Sequence, residues 1–390
     1  MIRDLLEKKE KKVEYVELIF DLVFVYLLGR NNSLLHHVAD GKLDWEIFLI
    51  YLIATLAVIQ IWNYTTYFVN LYGRHSIRDH VFLFVTMFLL YYMAEGTREH
   101  WQELHTQYHA AWALVLLSLG FQHFLELLSR GKDDEHAPLL RGVTLVLCIQ
   151  ALLAAGAIWE RRLLGSTWLS LAAVVFGLAA MAFVGNKWGN GSVDFPHLSE
   201  RAMLYVVFTF GEMIIAVAGY FEGTFSFRSL YFSAMAFLIV VGLFLSYGVV
   251  YDHLTNRELQ TGGLAYMFLH LFLILALSGL TNALELMQDE AVPLVPKLIF
   301  LLASFLTYYG FLLGTLRYAK PALRPGRGFA LLAAGICAVF VGLMVLLREN
   351  MAANIAVSAA FTFAQAFLLY GFWRIREKGP AEPNGFVELE

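Results

Sequence analysis

The chain has 390 residues, of which 59% are hydrophobic and 15% are charged, with a formal net charge of -4. An ordinary soluble domain carries about 25% charged residues, so this composition excludes a water-soluble globular protein. The basic residues are scattered through loops and form no patch, which argues against nucleic-acid binding. Cys148 and Cys337 lie inside apolar runs, where a thiol behaves as a small hydrophobe, and imply neither a disulfide nor a metal site.

Twelve apolar runs follow one another along the chain. A helix needs about 20 mainly apolar residues to cross the hydrocarbon core of a bilayer. The first run contains Glu17 and Asp21 and has no small-residue cleavage site, so it is a retained span and not a signal peptide. The sequence predicts an all-α, polytopic transmembrane helix bundle with spans at 14–36, 46–70, 80–95, 109–128, 139–159, 167–185, 201–220, 229–251, 264–283, 294–316, 328–347 and 353–373.

The distribution of basic residues predicts the orientation. Most of the 28 Lys and Arg residues fall in the two terminal tails and in the loops that follow even-numbered spans. Because Lys and Arg accumulate in cytoplasmic loops, we expect both termini to be cytoplasmic, in an inner (cytoplasmic) membrane. Segments 1–13 and 376–390 are then cytoplasmic tails.

The two halves of the chain show a weak internal similarity. Asp21 in the first span matches Glu212 in the seventh, and Glu95 and Glu285 follow these residues at nearly equal separations. A duplicated six-helix unit would explain the match. We therefore predict two units, 14–190 and 191–375, related by an axis along the membrane normal, as in several transporters.

The sharpest motif runs from Glu17 to Val25 in the first predicted helix. Its two carboxylates, Glu17 and Asp21, are four residues apart and share one helix face. Asp21 lies about 10 Å inside the predicted end of the helix, where an ionised carboxylate costs at least ~2.5 kcal/mol unless it is paired or hydrated. Two interpretations remain open: a proton or cation site, or a buried ion pair that fixes helix packing.

A second motif opens the seventh predicted span with His197, Glu200 and Arg201, followed by Glu212. Glu200 suits the positive start of a helix, and Arg201 could pair with Glu17. Glu212 falls near the bilayer midplane and has no charged neighbour in its own helix. A partner from another helix, a proton or an ion must neutralise it, which makes Glu212 the strongest single functional candidate.

Histidines offer weaker signals. His123 and Glu126 in the fourth span could relay protons, although such groups more often join helices. His105 and His109 have a spacing that can bind a metal, with His36 and His37 as further ligands, but the segment has no Cys and no His-Glu-x-x-His motif. We also find no Ser-His-Asp arrangement, phosphate loop or dinucleotide fingerprint, so the sequence predicts no metal and no cofactor.

The two motifs together resemble the bacterial low temperature requirement A family of integral membrane proteins. The family's pattern is kept at Glu17, Asp21, Leu22, Val23, Phe24 and Val25, and again at His197, Glu200, Arg201, Gly211 and Glu212. The resemblance covers most of the chain, with a departure at residues 28–32. It implies a multi-pass membrane protein required for growth in the cold, and the family name records no molecular activity.

Three functions stay open. The first is a proton- or cation-coupled transporter or ion pathway, the second an enzyme acting on lipids or envelope precursors, and the third a scaffold or sensor. The enzyme is less favoured, because no nucleophile or metal motif is present. Expected partners are membrane lipids and a small solute, proton or cation. The candidate coupling residues are Asp21, Glu212, Glu17, Glu200, Arg201, His197, Glu95 and Glu285.

Overall fold

The computed structural model describes residues 13–36, 45–74, 76–97, 101–131, 133–189, 193–221, 226–288 and 292–377. These residues form twelve long helices and no β-strand, and each helix is long and apolar enough to cross a membrane, so the predicted number of spans is confirmed. The helices are α1 Tyr15–Asn32, α2 Trp45–Tyr72, α3 Ile77–Glu95, α4 Trp101–Arg130, α5 Ala137–Leu164, α6 Trp168–Trp188, α7 Phe195–Ala218, α8 Phe227–Gly248, α9 Leu264–Gln288, α10 Leu294–Gly314, α11 Arg327–Leu346 and α12 Met351–Glu377.

Local sequence signals determine where several helices begin and end. The Ser76 hydroxyl accepts a hydrogen bond from the Asp79 amide, and Asp79 caps Ser76 in return, so α3 begins with a capping box. The Asp194 carboxylate caps α7 by accepting from the His197 amide at 3.1 Å. Helix α5 ends at Gly165, whose φ of 67° is a left-handed conformation that suits glycine. The Asp194 cap brings His197 inside the first turn of α7.

Helices α1, α2 and α9 are among the most buried, whereas α11 is the most exposed of the twelve. Leu331 and Leu346 on α11 are 74% and 78% exposed, which suits a surface that faces lipid. The charged residues of α1 therefore lie at the centre of the bundle, where a partner from the protein must neutralise them.

Helices α1 and α7 are neighbours and run in the same direction, because Asp21 contacts Arg201 and Gly29 contacts Glu212 further along both helices. A Cβ atom on Gly29 would overlap the Glu212 carboxylate, so a larger residue at this position would displace that side chain. The first and seventh spans thus pack together. The duplication of units 14–190 and 191–375 stays a prediction.

The connections between helices are short, so successive helices cross the membrane in opposite directions. We call the side on which α1 and α7 begin the N-side. An even number of spans brings the end of α12 back to the N-side. Whether the N-side is cytoplasmic stays a prediction, and residues 1–12 and 378–390 of the predicted tails lie outside the described residues.

Candidate functional site

A buried set of ionisable side chains joins α1 to α7 near the N-side. It consists of Glu17, Asp21, His197 and Arg201, each at most 2% exposed, and we call it the ionic cluster. Four residues separate the two members on each helix, so each pair lies on one helix face. The two faces meet, and the pairing of Arg201 with Glu17 that the sequence suggested is present.

Arg201 holds both carboxylates. Its Nε donates to Asp21 Oδ2 at 3.1 Å, its Nη2 donates to Asp21 Oδ1 at 2.5 Å, and its Nη1 donates to Glu17 Oε2. This is the two-pronged geometry in which a guanidinium binds a carboxylate most strongly. The indole nitrogen of Trp62 on α2 also donates to Asp21 Oδ1, at 2.8 Å. Both oxygens of Asp21 are therefore occupied by donors.

Hydrogen bonds from α2 fix the proton position on His197. Asn70 Oδ1 accepts from the Asp194 amide at 3.0 Å, so the amide nitrogen of Asn70 must be the donor to its other partners. That nitrogen donates to the Asp194 carbonyl at 2.9 Å and lies 3.0 Å from His197 Nδ1. Nδ1 is then an acceptor, and a neutral His197 carries its proton on Nε2, which lies 3.3 Å from Glu17 Oε2.

The charges of the ionic cluster do not balance when both carboxylates are ionised. Glu17 and Asp21 contribute two negative charges, Arg201 contributes one positive charge, and His197 is neutral in the tautomer that Asn70 selects. An uncompensated charge in a dry interior is expensive. One added proton makes the cluster neutral. The second oxygen of Glu17, Oε1, is buried and accepts no hydrogen bond from the described residues, so it can carry that proton.

A small cavity of about 20 Å³ adjoins Glu17, which is enough space for one water molecule. Its lining includes Glu14 and His80, both half-buried near the N-side ends of their helices, together with Asp79 and Gln122. Glu17 thus lies next to a water-sized space that has both polar and apolar lining residues and that extends toward the N-side ends of α1 and α3.

A larger cavity of about 330 Å³ lies on another face of α2, in the N-side half of the bundle. Residues of α2 that line it recur at helical spacing and include Gln60, Tyr64 and Phe68. At 100° per residue the centre of this face lies about 120° around α2 from Asn70 and about 160° from Trp62, the two residues that contact the ionic cluster. Helix α2 therefore separates the ionic cluster from the large cavity, which we call the aromatic cavity.

The other predicted carboxylates lie apart from the ionic cluster. Glu212 is half-buried against Gly29, with the like-charged Glu285 of α9 as an electrostatic neighbour. Between Asp21 and Gly29, which are about 12 Å apart along α1, the rings of Phe24 and Tyr205 pack edge to face with centroids 6.4 Å apart. Aromatic packing thus separates Asp21 from Glu212.

Glu200 and Glu95 occupy peripheral positions. Glu200 is one residue before Arg201, about 100° around α7, and its electrostatic neighbour is Tyr251. Glu95 is the last residue of α3 and accepts a hydrogen bond from the Tyr26 hydroxyl at 3.4 Å. The structure therefore brings together four of the eight candidate residues. The roles of all eight stay predictions.

The sequence analysis missed Trp62 and Asn70 as partners of the ionic cluster. They are eight residues apart on one face of α2, with the buried Thr66 between them. Two side chains with hydrogen-bond donors at that spacing in an apolar helix are the signal that could have identified them.

A second group of charges lies at the N-side end of the bundle, where the Glu126 carboxylate is fully buried. We call it the rim cluster. Glu126 accepts hydrogen bonds from three arginines, at 3.1, 2.7 and 2.8 Å, and two of these arginines also lie 3.7 Å from an aspartate. His123 packs edge to face on Phe68 and has its Nδ1 2.8 Å from the Leu119 carbonyl. The members of the rim cluster are Glu126, Arg74, Arg78, Arg130, Asp79 and Asp134.

The His105 and His109 rings stack with their centroids 3.9 Å apart, and His109 Nε2 lies 2.7 Å from the Ser170 hydroxyl. His37, one of the further ligands considered from the sequence, lies outside the described residues. Across the ranges that the structure describes, no group of three or more His, Cys, Asp or Glu side chains is arranged to hold a metal ion.

One protein family matches the chain. The family described as Bacterial low temperature requirement A protein (LtrA) matches residues 12–368, nearly the whole chain. No curated protein and no solved structure matches it. The matched range contains α1, α2 and α7, and with them the complete ionic cluster.

Proposed function

The chain belongs to the bacterial low temperature requirement A family, and we propose that it is a secondary transporter that couples a proton to the movement of a small solute. The observation that carries the proposal is the position of α2. One face of this helix contacts the ionic cluster through Trp62 and Asn70, and another face lines the aromatic cavity. A change of charge in the cluster can therefore act on the helix that lines the cavity.

The proposed proton site is Glu17. A proton on Glu17 balances the cluster, and the small cavity beside it supplies a route to the N-side. Loss of the proton leaves the cluster with one excess negative charge next to Arg201 and His197. Because α2 is bonded to both Asp21 and His197, a rearrangement that relieves this charge moves or rotates α2. Such a movement opens or closes the aromatic cavity, as alternating access requires.

The remaining candidates receive distinct roles. Asp21 is an anchor, because its oxygens are occupied by Arg201 and Trp62. Glu212 and Glu285 form a second acidic pair beyond the Phe24 and Tyr205 rings, where a proton or a monovalent cation would relieve their repulsion. We place the protein in the inner membrane with a cytoplasmic N-side, in accordance with the distribution of basic residues, so that the aromatic cavity faces the cytoplasm.

Infrared difference spectroscopy of the purified protein tests the proton site without knowledge of the solute. All variants carry Glu212→Gln, which removes the acidic pair beyond the Phe24 and Tyr205 rings from the signal. Between pH 5 and pH 9 we expect loss of a protonated carboxyl band in this background and in the background with Glu200→Gln. We expect no such band from the cluster in Glu17→Gln. Glu200→Gln is the matched control, because it removes a carboxyl group from α7 outside the cluster. A difference band that survives unchanged in Glu17→Gln contradicts the proposal.

Flux measurements in liposomes test coupling. A pH-sensitive dye inside the vesicles reports proton movement while a panel of small solutes is added outside: neutral aromatics, amino acids, sugars and organic cations. We expect at least one solute to drive proton flux in the wild type and in Glu200→Gln. The same solute should drive none in Glu17→Gln, and Glu212→Gln should reduce the flux. Absence of proton flux with every solute of the panel would contradict a coupled transporter.

A scaffold is the second candidate function, and the saturated hydrogen bonding of Asp21 favours it. A buried, fully paired carboxylate can serve packing alone. If the protein is a scaffold, Glu17→Gln and Asp21→Asn change its stability, and neither the wild type nor the variants show proton flux. The transporter predicts that Glu17→Gln folds normally and loses coupling.

A further inference from the structure

The aromatic cavity has the size of a small-molecule site. Its volume of about 330 Å³ lies within the range of about 300–1,000 Å³ that ligand pockets occupy. Residues from α2, α4, α5, α6 and α9 line it, together with the segment that precedes α9. A cavity built from this many helices changes shape when any one of them moves, which suits a transported solute.

The lining offers no ionic partner to a charged solute. None of the described residues around the cavity is an Asp, Glu, Lys or Arg. A buried anion would lack a cationic partner and a buried cation would lack a carboxylate. Each would therefore lose its hydration without an ionic partner to replace it. His123 lines the cavity with its Nδ1 2.8 Å from the Leu119 carbonyl, so the ring has a protein partner of its own. An uncharged solute is the class that this lining accepts.

The walls favour a planar, aromatic solute. Seven aromatic side chains other than histidine line the cavity, and flat faces of this kind bind flat apolar rings by stacking and edge contacts. Gly177 contributes to the shape of the wall, because a Cβ atom there would overlap Gln150 and the Tyr64 hydroxyl. The seven aromatic residues are Tyr64, Tyr67, Phe68, Tyr72, Trp188, Phe268 and Tyr318.

The polar groups of the wall are mostly committed to one another. Gln60 Nε2 donates to the Val174 carbonyl at 2.8 Å, and Gln60 Oε1 accepts from Gln150 Nε2 at 2.7 Å. The Tyr64 hydroxyl donates to Gln150 Oε1 at 3.2 Å, and the Tyr67 hydroxyl donates to the Gly262 carbonyl at 3.3 Å. These bonds fix the wall and leave few acceptors for a ligand.

Two lining side chains are exceptions: the Tyr72 hydroxyl, which is buried without a hydrogen-bond partner among the described residues, and Asn63. Asn63 lines the aromatic cavity and is 6% exposed, and its side-chain Oδ1 is buried without a hydrogen-bond partner among the described residues. An unpaired buried acceptor costs roughly 1–3 kcal/mol, which a ligand donor can recover. Resting on the proposed transport function, we infer that the aromatic cavity binds an uncharged aromatic solute with an N–H or O–H group, which donates to Asn63 Oδ1.

Equilibrium dialysis of the full-length protein in detergent micelles tests the inference, with indole as the probe. We expect saturable binding of indole. 1-Methylindole has the same ring without the donor and should bind about tenfold more weakly, the equivalent of one hydrogen bond. Benzoate, a charged aromatic, should not bind. Asn63→Leu should remove the preference for indole over 1-methylindole.

A cavity-filling variant assigns the binding to this site. Leu178→Trp places a large ring in the cavity and should abolish saturable indole binding. Leu238→Trp is the matched control, since Leu238 is a partly buried leucine on α8 that does not line the aromatic cavity, and it should bind indole as the wild type does. Thermal unfolding of both variants shows that they are folded.

Four results would overturn the inference: no saturable indole binding, equal binding of indole and 1-methylindole, competition by benzoate, or unchanged indole binding in Leu178→Trp. The failure of the inference and that of the proposed function are distinguishable. If indole does not bind but the Glu17 carboxyl band titrates and another solute drives proton flux, the solute class alone is wrong. If indole binds in the aromatic cavity and no solute drives proton flux, the binding site is supported and the proposed transport function is contradicted.

Discussion

The rim cluster and the ionic cluster both hold carboxylates between helices, but they differ in exposure and in charge balance. In the rim cluster three arginines meet three acidic residues, and Arg74 is 62% exposed. In the ionic cluster a single arginine, 1% exposed, meets Glu17 and Asp21. The rim cluster is balanced without a proton and in contact with water. The ionic cluster is one positive charge short and dry.

Under the proposed function, this difference is the one between charges that hold helices together and charges that bind a proton. Water and salt screen the arginines of the rim cluster, so Glu126 can tie α4 to the loop before α3 at little cost. The interior offers the ionic cluster no such screening. We propose that a proton corrects its charge, and Glu17 is the member whose Oε1 has no partner among the described residues and that adjoins a small cavity. Glu17 is therefore the residue whose substitution tests function, and Arg201, Arg78 and Arg74 are the residues whose substitution tests stability.

The largest effect is expected from Arg201→Met. The substitution leaves Glu17 and Asp21 buried without a cation, and breaking a buried pair in this way costs about 3–5 kcal/mol. The free energy of unfolding, measured by titration of the micellar protein with sodium dodecyl sulfate, reports the loss. Arg78→Met, which removes a one-third exposed arginine of the rim cluster, is the matched control and should cost less than half as much. Equal losses in the two variants would contradict the distinction between the clusters.

The two carboxylates of the ionic cluster should respond unequally to neutralisation. Asp21→Asn places an amide nitrogen against Arg201 or Trp62, donor against donor, and should cost about 1–3 kcal/mol of unfolding free energy. In Glu17→Gln the new amide nitrogen can take the position of Oε1, which has no hydrogen-bond partner among the described residues. The other side-chain oxygen then still accepts from Arg201, and the net charge of the ionic cluster becomes zero. We expect Glu17→Gln to cost less than Asp21→Asn by the same titration. A Glu17→Gln variant as unstable as Asp21→Asn would show that Glu17 is ionised and structural.

Much of the fold could be predicted from sequence, because the length and the apolar composition of a segment identify a membrane-spanning helix. The ends of the helices were less predictable. Helix α7 begins at Phe195 and not at 201, since the Asp194 cap and Pro196 allow an earlier start. That shift matters, because it places His197 on the same helical face as Arg201. The ion pair between Arg201 and Glu17 was foreseeable, since few charges of opposite sign lie that deep in the predicted spans.

The rest of the site depends on how distant helices pack together, which no local sequence pattern predicts. The hydrogen bonds of Trp62 and Asn70 require α2 to lie against both α1 and α7. The aromatic cavity depends on the distances between five helices and on Gly177, whose missing side chain admits Gln150. The separation of Asp21 from Glu212 by Phe24 and Tyr205 likewise follows from the register of α1 on α7.

The smallest effect is expected from Arg74→Gln in the rim cluster. Arg74 donates to Glu126 at 3.1 Å, but it is 62% exposed, and Arg78 and Arg130 also bind that carboxylate. An exposed ion pair contributes about 0–1 kcal/mol, and 1 M salt reduces the screening length to about 3 Å. We therefore expect a loss below about 1 kcal/mol in thermal unfolding at low salt, and none at 1 M salt. The loss in Arg201→Met should be unchanged by salt, because no ions enter the ionic cluster. A salt-insensitive loss in Arg74→Gln would mean that the rim cluster is as dry as the ionic cluster, and charge balance alone would then distinguish the two.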